Sequence, residues 1–489
     1  MNNPLAVAIA LTLSTHPIST LADNRAINDF RDQLKDMKQE YDQRTQALEK
    51  RLQGAEDAAK AAEAQARRAE ETAYESSLAS RPTTTASGNA FNPDISLILQ
   101  GRYAHFSNDP EHYTLPGFQL GGEAGLGESG FSLEHSELAL SANIDDLFYG
   151  NLTAAIAEHD GATEVELEEA YFETLGLGNG FTIKGGRFFS GVGYLNEQHE
   201  HAWDFADAPL IYRGLFGNHL RDDGLQVNWI APTDLFVKVG AELLRGGQFP
   251  AGGAAHDGVG AYSLFAKIGG DIGTSHSWQL GLSHWSADVI GRTGGHHGHA
   301  DEDSTHEEHE EEHEEEHEEE HEHEEAVAHT PSFTGDSTIN AIDFVYKWAP
   351  LGNPKDRYFK FQMEYFDRQE DGTLTMLNSD PLEATSYDGH QSGWYAQAVY
   401  QFMPQWRVGL RYDRLSIDNQ ALDHEVLAEA GLEDDGHTPQ RYSLMFDWSH
   451  SEFSRIRLQY NRDESFAEGD NQIFLQYTYS LGAHGAHQF

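Results

Sequence analysis

From Ile95 onward, apolar side chains recur at every second residue. Over residues 473–481 (IFLQYTYSL), Ile473, Leu475, Tyr477, Tyr479 and Leu481 share one face, and Phe474, Gln476, Thr478 and Ser480 the other. Trp406, Val408, Leu410 and Tyr412 alternate in the same way with Arg407, Gly409, Arg411 and Asp413. A period of two marks strands with one apolar and one polar face, which suits a sandwich, a soluble barrel or a membrane barrel. Candidate strands fall at 95–105, 130–143, 148–158, 164–175, 180–189, 224–231, 235–244, 258–269, 276–287, 337–348, 357–367, 391–402, 405–416, 439–449, 454–462 and 471–482, sixteen in all, with fourteen or eighteen open at the strand edges. The alternation lapses around Glu134–Leu138 and Glu168–Ala170, which reads as bulges or as misplaced strand ends.

Loop lengths separate the three architectures. Short turns join strands 2 to 3, 4 to 5, 6 to 7, 12 to 13 and 14 to 15, whereas long connections cover 106–129, 190–223, 288–336, 368–390 and 417–438. Short turns on one rim and long loops on the other mark a transmembrane β-barrel of the outer membrane, with the long loops extracellular.

Upstream of the strands the period changes. Ile27, Phe30, Leu34, Met37, Tyr41 and Leu48 follow steps of three and four, with Arg44 in one seam place, and Ala55, Ala59, Ala62, Ala66 and Ala69 continue the stripe. This is the narrow seam of a coiled coil over residues 23–78, a stripe with little reason to exist without a partner helix. Residues 79–94 read as a polar linker. Before them, an apolar stretch from Pro4 to Leu13 and a small-x-small pattern at Thr20-Leu21-Ala22 predict a signal peptide over residues 1–22. No stretch approaches the ~20 apolar residues of a membrane-spanning helix.

Composition agrees with a barrel and excludes other classes. In 489 residues, a hydrophobic fraction of 38% with 47 Gly is low for a water-soluble globule of this size and ordinary for strands apolar on one face only. The formal charge of -49 argues against nucleic acid as a partner. With no cysteine, metal chemistry must use imidazole and carboxylate. No nucleophile–base constellation, phosphate loop or catalytic metal motif is present, so neither an enzyme nor an organic cofactor is expected.

The terminal strand, ending in Phe489, resembles the assembly signal of Gram-negative outer-membrane proteins. The coiled coil and sixteen-strand pattern beginning FNPDISLILQGRYA resemble the bacterial porin superfamily, close to its phosphate-selective group. The His-rich loop and the ending LGAHGAHQF are similar to a zinc-regulated subgroup, some members of which are labelled TonB-dependent receptors. That label fits poorly, because such receptors have about 22 strands around a globular plug. The resemblance implies an all-β barrel of about 16 antiparallel strands in outer-membrane lipid (residues 95–489), either trimerised by the coiled coil or spaced by it from peptidoglycan.

Two loops then carry the candidate chemistry. The fifth outer loop, 288–336, contains His296, His297, His299, His306, His309, His313, His317, His321 and His323 among acidic residues. In a helix, His309, His313, His317 and His321 would share one face at a chelating spacing. The ligand set suits Zn(II), Ni(II), Cu(II) or Co(II), and the resemblance selects zinc, transported or loosely bound. The other reading is a solvated brush that binds nothing. The third loop, 190–223, occupies the place where porins narrow the barrel, and offers Glu197, His199, Glu200, His201, Asp204, Asp207 and His219 as a constriction. Its carboxylates favour cations and its HEH motif could hand an ion inward, or the two imidazoles could simply fold the loop. Lys360, Arg407, Arg411, Arg455 and Arg457 have inward phase and would oppose the acidic loop across a transverse field. His484 and His487 are exit ligands or a simple tail.

The function expected is a porin passing divalent metal, chiefly zinc. The alternatives are a general or anion-selective porin with an incidental acidic loop, and a closed barrel that stores metal.

Overall fold

The computed structural model describes residues 93–482 apart from 122–123, 160–161, 253–257, 295–328, 380 and 467, together with seven positions between 35 and 53. The chain divides into two units, residues 1–90 and 91–489. In the first unit, Lys35, Lys38, Gln39, Gln43, Gln46, Lys50 and Gln53 are helical and exposed. The apolar seam of the expected coiled coil lies outside the described residues, as do the expected signal peptide, most of the linker, and His484, His487 and Phe489.

The second unit forms sixteen strands: β1 (Asp94–Phe106), β2 (Gly130–Asn143), β3 (Phe148–His159), β4 (Ala162–Thr174), β5 (Phe181–Phe189), β6 (Arg221–Ile230), β7 (Phe236–Leu244), β8 (Ala261–Ile272), β9 (His276–Thr293), β10 (Thr330–Trp348), β11 (Tyr358–Leu377), β12 (Glu383–Met403), β13 (Trp406–Ala421), β14 (Gln440–Ser451), β15 (Ser454–Glu464) and β16 (Asp470–Gly482). Each pairs antiparallel with its sequence neighbours, and β1 closes the barrel on β16 with Ser96 opposite Gly482. Closure leaves no unpaired edge, the condition for a sheet to lie in lipid.

The two faces of the wall invert the arrangement of a soluble protein. Outward-facing Leu99, Leu225, Leu264, Ile342, Leu410, Leu458 and Leu475 are exposed, whereas inward-facing Gln362, Arg368, Asp413, Arg441 and Asn461 are buried. Aromatic clusters mark both borders of the apolar exterior: Trp406 against Trp448 and Phe446 near the short-turn rim, and Trp394, Tyr412 and Tyr442 toward the loops. Such girdles sit at the membrane interfaces of outer-membrane barrels. No described helix is long and apolar enough to cross a membrane.

Several strands run further outward than their apolar alternation does. Residues 368–390 are not a long loop: β11 and β12 continue to Leu377 and from Glu383, leaving a connection of residues 378–382. The outward face of β11 changes from Met363 and Tyr365 to Gln369, Asp371 and Thr373, so pairing persists after the lipid-facing signal ends. For the same reason β9 and β10 extend to Thr293 and from Thr330, which shortens the fifth loop to 294–329. The third loop likewise ends at 220, because β6 starts at Arg221.

Among the described residues, an apolar cluster fills part of the outer lumen. The third loop turns inward and carries a short helix, α1 (Leu210–Phe216), whose residues are all buried and which ends at Gly217 in the left-handed conformation (φ 64°). Leu210, Ile211, Tyr212 and Leu215 pack with Leu115 and Phe118 of the first loop and with wall residues Trp285, Phe333, Phe366 and Leu415. Val426 and Leu427 of a second helix, α2 (His424–Glu429), in the seventh loop complete this cluster.

Candidate functional site

The third loop is fixed to the wall at its start and middle, and its two ends are tied to each other. At its start, the Glu364 carboxylate accepts hydrogen bonds from the amides of Tyr194 (2.8 Å) and Leu195 (3.0 Å), and from the hydroxyls of Tyr212 (2.9 Å) and Tyr395. Gly193 makes this approach possible: at φ +78°, a Cβ there would lie 2.6 Å from Tyr212 Oη and 2.7 Å from Glu364 Oε2. Gly193→Ala is therefore expected to lift the start of the loop off the wall and raise single-channel conductance in planar bilayers. An unchanged conductance would show that the loop tolerates the clash.

The middle of the loop is held by charge. Asp204 pairs with Lys360 (3.0 Å) and Arg407 (3.0 Å), and Asp207 with Arg411 (2.6 Å) and Arg441 (2.9 Å). Arg455 donates to the carbonyl of His201 (2.8 Å), and Arg457 to that of Trp203 (2.7 Å). Burial alone would raise both aspartates, but their basic partners outweigh it and hold the carboxyls well below the usual range. The five basic wall residues thus face inward as their phase predicts, but they do not oppose the loop across open water. They grip it, and the expected transverse field is replaced by short ion pairs.

Other candidates from the loop are similarly engaged. Glu197 pairs with Lys238 (3.0 Å) and Lys267; burial would raise its carboxyl, yet the two ammonium groups bring it down to about 2. His219 stacks on Phe189, with centroids 4.4 Å apart, and lies against Trp203. Near the loop's end, Asn196 joins the two arms by donating to the carbonyls of Ser190 and Leu220 (both 2.8 Å).

His199 and His201 are different, because they meet carboxylates of the opposite wall. His199 Nε2 lies 3.1 Å from Glu169 Oε2, while its Nδ1 lies 3.3 Å from Glu168 Oε2 and 3.4 Å from Glu137 Oε2. His201 Nδ1 lies 2.6 Å from Glu137 Oε1, and His135 Nδ1 is 3.7 Å from Glu168 Oε1. Burial disfavours charge on His199, but Glu137, Glu168 and Glu169 prevail and raise its pKa well above the ordinary value. His201 is lowered to about 3 by burial, then by the neighbouring charges of His199 and Arg455. His199 therefore holds the proton, and neutral His201 donates to Glu137.

Two bulges bring the wall carboxylates here. Between β1 and β2 the register runs from Ile98↔Glu137 to Gln100↔Glu134, so His135 and Ser136 stand against Leu99 alone. Between β3 and β4, Thr153 pairs with Glu169 and Ala154 with Leu167, leaving Glu168 unmatched. Consequently the consecutive pairs Ser136–Glu137 and Glu168–Glu169 are all buried, which regular alternation forbids. Glu137, Glu168, Glu169 and His135 are absent from the residues singled out in the sequence. Their signal was the lapse of strand phase at these two places.

The cluster lies between two cavities. One, of about 740 Å³, reaches toward the short-turn rim past Asp94, Asp234 and Asp271, and is lined at its inner end by Glu137, Glu169, His199 and His201. The other, about 60 Å³, lies toward the first loop and touches His135 and Glu200. The nine histidines between 296 and 323 lie outside the described residues.

A closed sixteen-stranded barrel with an apolar exterior, a polar wall and an inward third loop is a porin-type barrel of the bacterial outer membrane. No family model matches the chain. A protein of Aquifex aeolicus (strain VF5), described as uncharacterized, is 31% identical over 444 residues, covering 86% of this chain and 84% of the relative. The chain belongs to the family of that protein. Among solved structures it is similar to the anion-selective porin from Comamonas acidovorans (TM-score 0.46, 9% identity, 80% of this chain and 99% of that one). It is also similar to the outer-membrane channel DcaP of Acinetobacter baumannii (TM-score 0.45, 12% identity, 80% and 97%).

Proposed function

We propose that this protein is an outer-membrane channel admitting divalent cations, zinc foremost, to the periplasm. One observation carries the reading: the large lumen cavity is headed by His199, His201 and wall carboxylates, while Lys360, Arg407 and Arg411 are occupied in holding the third loop. The nine histidines of the fifth loop would concentrate metal outside, and binding along the route must be weak enough for release. The N-terminal helical segment would join three such barrels.

A general porin is the second reading, supported by Lys184, Lys238 and Lys267, which line the same cavity and give it mixed charge. Proteoliposomes separate the two readings. With micromolar zinc outside and excess calcium and magnesium present, zinc influx is expected to exceed that of a neutral sugar and to slow when residues 296–325 are removed. Equal permeability to zinc, chloride and sugar would favour the general porin, and no influx of any solute would sink both.

A further inference from the structure

We infer that Glu137, Glu168 and His199 form a three-ligand site for a zinc-like divalent ion, with a fourth coordination position left for water or an exchanging ligand. The inference deepens the channel reading by placing a binding station on the route; the binding itself can be tested apart from transport.

Ligand spacing is the first argument. One donor atom from each of the three residues can be chosen so that all lie within 4.8 Å of one another. His199 Nδ1 is 3.3 Å from Glu168 Oε2 and 3.4 Å from Glu137 Oε2. A tetrahedral ion with ligands at about 2.0 Å has ligand–ligand edges of roughly 3.3 Å. Glu168, only 1% exposed, turns Oε2 toward His199 Nδ1 in an ion pair without good hydrogen-bond geometry. The two atoms become a pair of metal donors once an ion displaces the proton that His199 holds.

The groups behind these donors fit as well. A metal-bound imidazole normally donates its other N–H to a carboxylate, which fixes the tautomer and strengthens the ligand. Glu169 Oε2 stands 3.1 Å from His199 Nε2 in that role. His201 holds the remaining oxygen of Glu137 at 2.6 Å. One nitrogen and two carboxylate oxygens suit zinc or its neighbours, whereas calcium requires six to eight oxygens. The two bulges are the backbone device that turns Glu137 and Glu168 inward together. Because two ligands stand on the wall and one on the third loop, an ion here would tie loop to wall, and two of its ligands, Glu137 and His199, line the large cavity. Three protein ligands and an open place allow exchange, as passage requires.

The test uses full-length protein in detergent with the nine loop histidines between 296 and 323 replaced by asparagine, titrated with Co(II) and then competed with Zn(II). One Co(II) per chain is expected, with visible absorption of a low-coordinate nitrogen–oxygen site. Glu169→Gln should weaken binding about 10–100-fold, and His199→Ala and Glu168→Gln should weaken it further. Each variant must keep the heat-modifiable gel mobility of a folded barrel, and the shape-conserving Glu169→Gln serves if His199→Ala does not assemble. No stoichiometric Co(II), or affinity unchanged in the folded variants, overturns the site. Co(II) binding without zinc influx in proteoliposomes would uphold the site and defeat the channel reading, and influx without binding would do the reverse.

Discussion

Replacing Asp207 by alanine is expected to release the third loop from the barrel wall, exposing it to protease and raising conductance, while the barrel stays closed. The buried cluster around Asp207 is balanced: its carboxylate and that of Asp413 face the guanidinium groups of Arg411 and Arg441. Gln459 (2.6 Å) and Asn461 (2.8 Å) also donate to Asp207. Truncation leaves one positive charge uncompensated and takes one of two acceptors from each amide, a penalty of about 3–5 kcal/mol on the docked state. Undocking relieves it by hydrating the arginines, which is why the loop rather than the sheet should respond. Limited proteolysis and bilayer conductance check the outcome; a protected loop with unaltered conductance would show that Glu364 and Asp204 suffice. The pH dependence has a definite sign. Because the Asp207 pKa is depressed in the folded state, its stabilisation is fully present above the ordinary carboxyl value of about 3.9 and is lost only as pH falls through the lower folded value. The Asp207 contribution to docking should therefore be flat from pH 7 to about pH 5, whereas neutral His201, lowered to about 3, contributes less to docking as pH falls below about 6.5.

The barrel was legible in the sequence because lipid makes one face of each strand apolar. Leu475, Tyr477 and Tyr479 point outward as their period indicates, and all sixteen strands are present. Where lipid ends, so does the signal: Gln369 and Asp371 sit on a strand that still pairs with β12, but nothing outside demands an apolar residue. The inward phase of Arg407 and Arg411 was equally readable. Their partners were not, because Asp204 and Asp207 lie some two hundred residues away and only the path of the third loop joins them. Of the three proposed metal ligands, one was visible. HEH announced His199 and His201, whereas Glu137 and Glu168 were hidden by the irregularity that makes them useful, since a bulge destroys the period by which a face is assigned.

That irregularity supplies the most direct test of the proposed lumen site: deleting Glu168 is expected to abolish the proposed zinc influx and leave a folded barrel. In β4, Glu168 is the one residue without a counterpart, lying between the pairs Ala154↔Leu167 and Thr153↔Glu169. Leu167 is exposed on the outer face and Glu169 is buried on the inner one. With Glu168 gone, these two become adjacent and alternate as a regular strand requires, and no register on either side has to shift. The wall keeps Glu169 and Glu137, the third loop keeps its clamps to Glu364, Asp204 and Asp207, and only one ligand disappears. Metal affinity should fall at least about 100-fold, beyond the ~10–100-fold that loss of a hydrogen-bond partner behind a ligand costs. Heat-modifiable mobility and sugar permeability are expected to match the parent. If the deletion prevents assembly, the bulge serves the sheet rather than the ion; if the barrel folds and zinc still crosses at the parental rate, Glu168 is not on the ion's path.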